Sequence, residues 1–218
     1  MMKDGLQLNL GCFDQVFEGW YNCDVSAHLF VARVPLLPRF LRLFGVLDEE
    51  RYTQYREGIF RRIHYLDLRK PLPFRTDSVR ACFCSHVLEH LYLIQAERLL
   101  AEIYRVLLPG GYTRIVVPDL AHAITLYSEE DPNPFLSKVF ENRKITLEKN
   151  QHKWMFTAPS LIRALNAVGF ETVRQVSYRE TQYAAFVPLD NRPVGSLFVE
   201  AQKKRHQFET VASSPQER

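Results

Sequence analysis

The chain has 218 residues, 46% of them apolar and 24% charged, with a formal net charge of +3. That length suits one full-sized domain and would cramp two, and the composition is that of an ordinary globular protein. The charge is too mild to argue for a nucleic-acid partner, and no dense Lys/Arg block stands outside the tail.

The opening MMKDGLQLNLG lacks the long apolar core of a secretory leader. Residues 6–10, LQLNL, form a short apolar run stopped by Gly11, the pattern of a buried strand entering a tight turn. WYNCDV suits a second short strand ending near Asp24. Residues 26–62 form a long connection of mixed helical character. Its most apolar part, Leu29 to Leu47, carries Arg33, Arg39, Arg42, Pro35 and Pro38, which excludes a membrane span. IHYLDL (63–68) and RACFCS (80–85) read as two further buried strands around the turn-rich KPLPFRTDS.

From Ile94 to Leu107 the apolar residues Leu99, Leu100, Ile103, Val106 and Leu107 recur at helical spacing, and Arg98 is placed to pair with Glu102 on the outer face. Pro109, Gly110 and Gly111 end that helix, and YTRIVV (112–117) is the next strand, closed by Pro118. Thr157 caps a later helix with Pro159 in its first turn, Leu161, Leu165 and Val168 as its buried stripe and Gly169 as its stop. ETVRQVSY and GSLFVEAQ make a final strand pair, and the polar residues 204–218 are expected to be a disordered tail. The four cysteines, Cys12, Cys23, Cys82 and Cys84, form no C-x-x-C knuckle and read as free thiols of a cytoplasmic protein.

Strands alternating with helices predict an α/β doubly wound, mostly parallel sheet, whose ligands sit outside the carboxyl ends of the strands. That rule selects Gly11, Asp24, Asp67, Ser85 and His86, each at or near the end of an expected strand. Within SHVLEHL, His86, Glu89 and His90 also spell H-x-x-E-H, the ligand order of inverted zinc peptidases. A zinc reading needs a third ligand downstream, for which Glu129, Glu130, Glu141 and Glu148 are available, but it leaves the strand-end residues unexplained.

The fragments LNLGC, YNCD, LDLRKPLPF, SHVLEHL and EIYRVLLPGGYTRIVVPDL, in this order, resemble the class I S-adenosylmethionine-dependent methyltransferases, and among them the compact methyltransferase type 11 group. The resemblance runs from Leu6 to about Gln202 and omits the segment 26–62. It implies a Rossmann-like seven-stranded sheet with one antiparallel C-terminal strand, helices on both faces, a single domain over 1–203, and S-adenosylmethionine as cofactor with no metal. Asn9, Gly11 and Cys12 would meet the methionine part, Asp24 both ribose hydroxyls, Asp67 and Leu68 the adenine, and Ser85 with His86 the transferable methyl. A carboxylate suits the ribose because it only accepts hydrogen bonds.

Two departures from the family pattern stand out. Phe13 occupies the place of the second glycine of G-x-G, and Gly11 to Asp24 spans 13 positions against roughly 20 in the dinucleotide-binding fingerprint, which reduces the first helix to a turn or two near Asp14–Glu18.

The implied reaction is in-line displacement on a sulfonium methyl, with His86 or His152 as the base an oxygen acceptor needs. Asp119 and His122 are a third possibility, although Asp119 equally suits a helix cap. The acceptor is expected to be a small molecule, a sugar or a lipid-linked glycan, with its reacting atom left open. The 26–62 segment reads as a lid, a dimer contact, a peripheral membrane contact or a core-packing unit. A cofactor-free binding module on the same fold is the alternative that Phe13 favours.

Overall fold

The computed structural model describes residues 5–140 and 151–205. Glu141 and Glu148, and the expected tail apart from Lys204 and Arg205, lie outside the described residues.

Strands buried on both faces need apolar side chains at nearly every position, and the central strands have them. β1 (Leu6–Leu10) and β4 (Val79–Ser85) pair in parallel, flanked by β2 (Tyr21–Asp24), β3 (His64–Tyr65) and β5 (Leu107–Pro118). β6 (Phe170–Val176) and β7 (Ser196–Lys203) complete a seven-stranded sheet of order β3-β2-β1-β4-β5-β7-β6. β7 runs antiparallel to both of its neighbours.

Side chains alternate between two cores as the strand period of two requires. Cys82, Cys84, Ile115, Val117, Leu197 and Val199 enter the larger core, beneath α4 (Leu93–Val106) and α7 (Ala158–Val168). Ala81, Phe83, Val116 and Phe198 face the smaller one, where Phe186 and Leu189 of the 3-10 helix Ala184–Leu189 pack.

The helices follow their sequence signals. α4 buries Ala96, Leu99, Leu100, Ile103 and Val106, and α7 starts at Thr157 and stops at a left-handed Gly169. Glu102 pairs with Arg105 at 2.7 Å rather than with Arg98, because Arg105 also reaches the Leu72 and Phe74 carbonyls while Glu102 accepts from the Leu72 amide. The Pro109-Gly110-Gly111 turn lies inside β5 as an irregularity opposite Val79 and Ala81. There a Cβ on Gly111 would press on the Leu108 carbonyl oxygen at 2.8 Å.

Arg114, fully buried in β5, donates to both Asp190 oxygens at 2.9 and 2.6 Å, to Glu200 at 2.7 Å, and to the Glu180 and Ser177 carbonyls. This network ties the 177–190 loop to the sheet, and every guanidinium nitrogen has a partner.

Residues 26–62 form α1 (His28–Val31), α2 (Leu37–Leu43), α3 (Glu49–Arg56) and a 3-10 turn at Ile59–Arg62. Leu29, Ala32, Leu47, Tyr55, Phe60 and Ile63 close a satellite core around Cys12. Among the described residues no helix is long and apolar enough to cross a membrane.

Candidate active site

The chain leaves β1 towards β2 and β3 on one side and β4 towards β5 on the other, so a crevice opens beyond Leu10 and Ser85. Gly11 starts its rim with φ +70°, and a Cβ there would run into Val87 Cγ2. The Gly11 and Cys12 amides both donate to the Cys23 carbonyl, at 2.9 and 3.1 Å. Close packing on the segment after β4 is thus one physical reason for this glycine, and it is invisible in the sequence.

Phe13 keeps the left-handed backbone of the glycine it replaces, at φ +49°. Its ring lies edge-on to His28 and Phe60, and the Arg51 guanidinium sits 4.7 Å above it. Arg51 and Gln54 of α3 also hold Asp14, at 3.0 and 3.1 Å. The insert therefore stabilises a turn that its sequence disfavours. Asp14–Glu18 form turns without a helix.

Asn9 is buried and donates both amide hydrogens within the protein, to Gln15 O and Asn22 Oδ1, each at 2.9 Å. A ligand would meet only its oxygen. The Cys12 side chain points into the satellite core, leaving its backbone for the crevice. Asp24 ends β2 and accepts from the Phe13 amide at 2.9 Å and the Ser26 amide at 2.7 Å, one on each oxygen. Each oxygen retains a second lone pair, which fits a vicinal diol. Burial, against the pull of those amides, pushes its carboxyl above the ordinary range.

β3 ends at Tyr65, two residues before Asp67, which is gripped by Arg69 at 2.8 Å through each oxygen. That hydrogen-bonded pairing holds the Asp67 carboxyl below its usual range. The Leu68 side chain belongs to the main core. Burial raises the thiols of Cys12, Cys82 and Cys84, and Cys23 to about 12, so all four are free but unreactive.

Ser85 closes β4, and His86 follows at φ +54° with its amide on the Val116 carbonyl at 2.8 Å. The imidazole lies between two groups: Nδ1 is 3.1 Å from Glu89 Oε1 without hydrogen-bonding alignment, and Nε2 is hydrogen-bonded to Ser196 Oγ at 3.2 Å. Ser196 escaped sequence reasoning, since its one signal is a hydroxyl at the start of the last strand. His152 does not join His86; its ring stands 5.3 Å from that of His90. Asp119 caps the short helix α5 (Leu120–Ile124) by accepting from the Ala121 amide at 2.9 Å. His86 and His90 do not share a settled helix, because only Leu88–His90 form a 3-10 turn.

Comparison with known proteins agrees with this geometry. Residues 46–115 match the family model described as a methyltransferase domain. The uncharacterized protein YBR225W of Saccharomyces cerevisiae is 44% identical over 64 residues, 29% of this chain but only 7% of the yeast protein. A SAM-dependent methyltransferase of Methanosarcina mazei superposes over 94% of this chain and 95% of its own, at 16% identity and TM-score 0.53. One from Mesorhizobium loti covers 92% and 91%, at 18% identity and TM-score 0.50. Phosphoethanolamine N-methyltransferase 2 of Haemonchus contortus, solved with S-adenosyl-L-methionine, covers 94% of this chain and 50% of its own, at 17% identity and TM-score 0.53. Identities this low speak for fold: the chain carries the class I S-adenosylmethionine-dependent methyltransferase fold.

Proposed function

We propose that the protein transfers the methyl group of S-adenosylmethionine to a hydroxyl of a small-molecule acceptor, a sugar or a lipid-linked glycan. The observation that carries this reading is the His86 imidazole, held at the carboxyl rim of the sheet with Nε2 already 3.2 Å from a hydroxyl, that of Ser196. When bound, the cofactor supplies a methyl activated by its sulfonium and lost by in-line displacement. Asp24 would take the ribose hydroxyls, the Asn9–Cys12 turn the methionine part, and the loop through Asp67 and the Leu68 backbone the adenine.

Near-attack alignment is the first contribution of the rim. The second is proton removal. As the acceptor oxygen forms its bond to carbon, its proton passes to His86 Nε2, where Ser196 now sits. The resulting imidazolium lies 3.1 Å from Glu89. Arg33 and Arg39, set among the exposed Phe30, Phe40, Leu43 and Phe44, support an acceptor with both negative charge and an apolar part, whereas Arg42 is paired with Glu49 at 2.7 Å. A hydroxyl needs a base and a thiol does not, which is why His86 favours oxygen.

Calorimetric titration with S-adenosylmethionine and S-adenosylhomocysteine tests the cofactor half. Binding is expected, with Asp24→Ala weakening it at least about tenfold, roughly the worth of a hydrogen bond or two. Absence of binding at millimolar ligand overturns the reading in favour of a cofactor-free binding module. Against a panel of glycans and glycolipids, His86→Ala should lower kcat by about 10²–10⁴ while leaving cofactor affinity intact. Full turnover in that variant would remove His86 from the chemistry.

A further inference from the structure

We propose that Glu89, His90 and His152 form a site for a divalent transition-metal ion, with zinc the best match to the donor set. This departs from the sequence expectation of no metal; it keeps Glu89 and His90 of the H-x-x-E-H spelling and sets His152 in place of His86. The first observation is Glu89, only 1% exposed, with neither carboxylate oxygen accepting a hydrogen bond. His86 Nδ1 comes within 3.1 Å of Oε1, but not along a hydrogen-bonding direction. An ionised carboxylate without hydrogen bonds is among the most costly groups to bury, unless it is paired or coordinates a cation.

The two histidines supply the second observation. His152 Nδ1 lies 3.1 Å from the Lys138 carbonyl, and His90 Nδ1 lies, at a longer 3.4 Å, from that of Gln151. A ring that donates Nδ1–H to a carbonyl is in the tautomer whose Nε2 carries the lone pair, the usual backing of a metal-bound histidine. One donor atom from each of Glu89, His90 and His152 falls within 4.8 Å of the others. Ligands with bonds of about 2.0–2.2 Å around a tetrahedral ion stand roughly 3.3 Å apart, so the donors have at most about an ångström and a half to close. Both rings are half-buried rather than enclosed in the core.

The backbone is already clamped for this. The Glu89 carbonyl accepts from the Lys153 amide at 2.7 Å and from the Trp154 amide at 3.3 Å, which fixes residues 152–154 over the Leu88–His90 turn. A His₂-carboxylate set leaves a fourth position for water or a ligand oxygen, the arrangement of catalytic rather than structural zinc. Binding of the ion stands independently of the methyl-transfer reading. Its use rests on that reading: through Glu89 the ion adjoins His86, where it would hold and acidify the acceptor hydroxyl.

The experiment takes the full chain, stripped by chelator, and titrates it with Zn²⁺ alone by calorimetry, with metal content read by elemental analysis and geometry by the visible spectrum of the Co²⁺ form. One equivalent per chain is expected, with a tetrahedral cobalt spectrum. His152→Ala and His90→Ala should each weaken binding at least about tenfold, and His122→Ala should not. Glu89→Gln gives an independent readout. Without metal it should melt above the wild type, because an amide replaces a buried carboxylate that accepts no hydrogen bond, and with Zn²⁺ the order should reverse. Absence of stoichiometric binding, or undiminished binding in a folded His152→Ala protein, overturns the proposal. Zinc binding without S-adenosylmethionine binding would keep the site and remove the methyl-transfer reading; the converse would do the opposite.

Discussion

In β4 every residue from Ala81 to Cys84 is buried, whereas α2, with Leu37, Phe40, Leu41 and Leu43 among its seven residues, buries none. The same residue types therefore do opposite things in the sheet and in the insert. In the sheet they close two cores, and the polar exceptions such as Arg114 are fully paired. In the insert only one side closes, around Cys12, while Leu43 and Phe44 stand 77% and 76% exposed. Burial in the sheet specifies the fold; in the insert the exposed apolar residues are left for other uses.

Substitutions test how sharp that contrast is. The largest effect is expected for Arg114→Met, which leaves Asp190 buried without its cation and Glu200 with only Arg174 at 3.5 Å, and should cost about 3–5 kcal/mol in denaturant unfolding. A loss under about 1 kcal/mol would mean that the network does not hold the 177–190 loop.

An intermediate effect is expected where the two regions meet. Replacing Phe13 removes its contacts with Phe60, His28 and Arg51, but glycine alone also relieves the φ of +49°. Phe13→Gly should therefore be about 1 kcal/mol more stable than Phe13→Ala. Equal stabilities would show that the turn relaxes once the ring is gone. Leu43→Asp is the smallest case: within about 0.5 kcal/mol of the wild type, because nothing is uncovered by its loss. A cooperative loss of several degrees in melting temperature would show that α2 packs more tightly than its exposure indicates.

The same contrast decides what could be read from the sequence. Most strand runs, the amphipathic stripe of α4, the Thr157 cap and the Gly169 stop are local patterns whose physics acts within a few residues, and the structure has them where the sequence places them; IHYLDL, expected as a buried strand over 63–68, keeps only the exposed pair His64–Tyr65 at the sheet edge. The insert resisted because its Leu and Phe residues carry no sign of which face meets Cys12. Site geometry resisted for another reason. The groups around His86 and Glu89 come from far along the chain: Ser196 from the last strand and His152 from beyond β5. No spacing rule connects such residues, and only the sheet order brings them together. The reason for Gly11 was hidden likewise, since Val87 becomes its neighbour only when β4 docks beside β1.

The antiparallel course of β7 has a consequence for how the molecule is assembled. Entering between β5 and β6, β7 delivers its first residue, Ser196, to the rim at which the parallel strands end. Until Leu197–Ala201 pair with it, β5 is an open edge, with the apolar Ile115, Val116 and Val117 on a ready template for another chain. Insertion of one late strand thus completes the rim and seals the edge in a single step. A chain that has gained its His86–Ser196 contact has, by the same event, covered the open edge of β5.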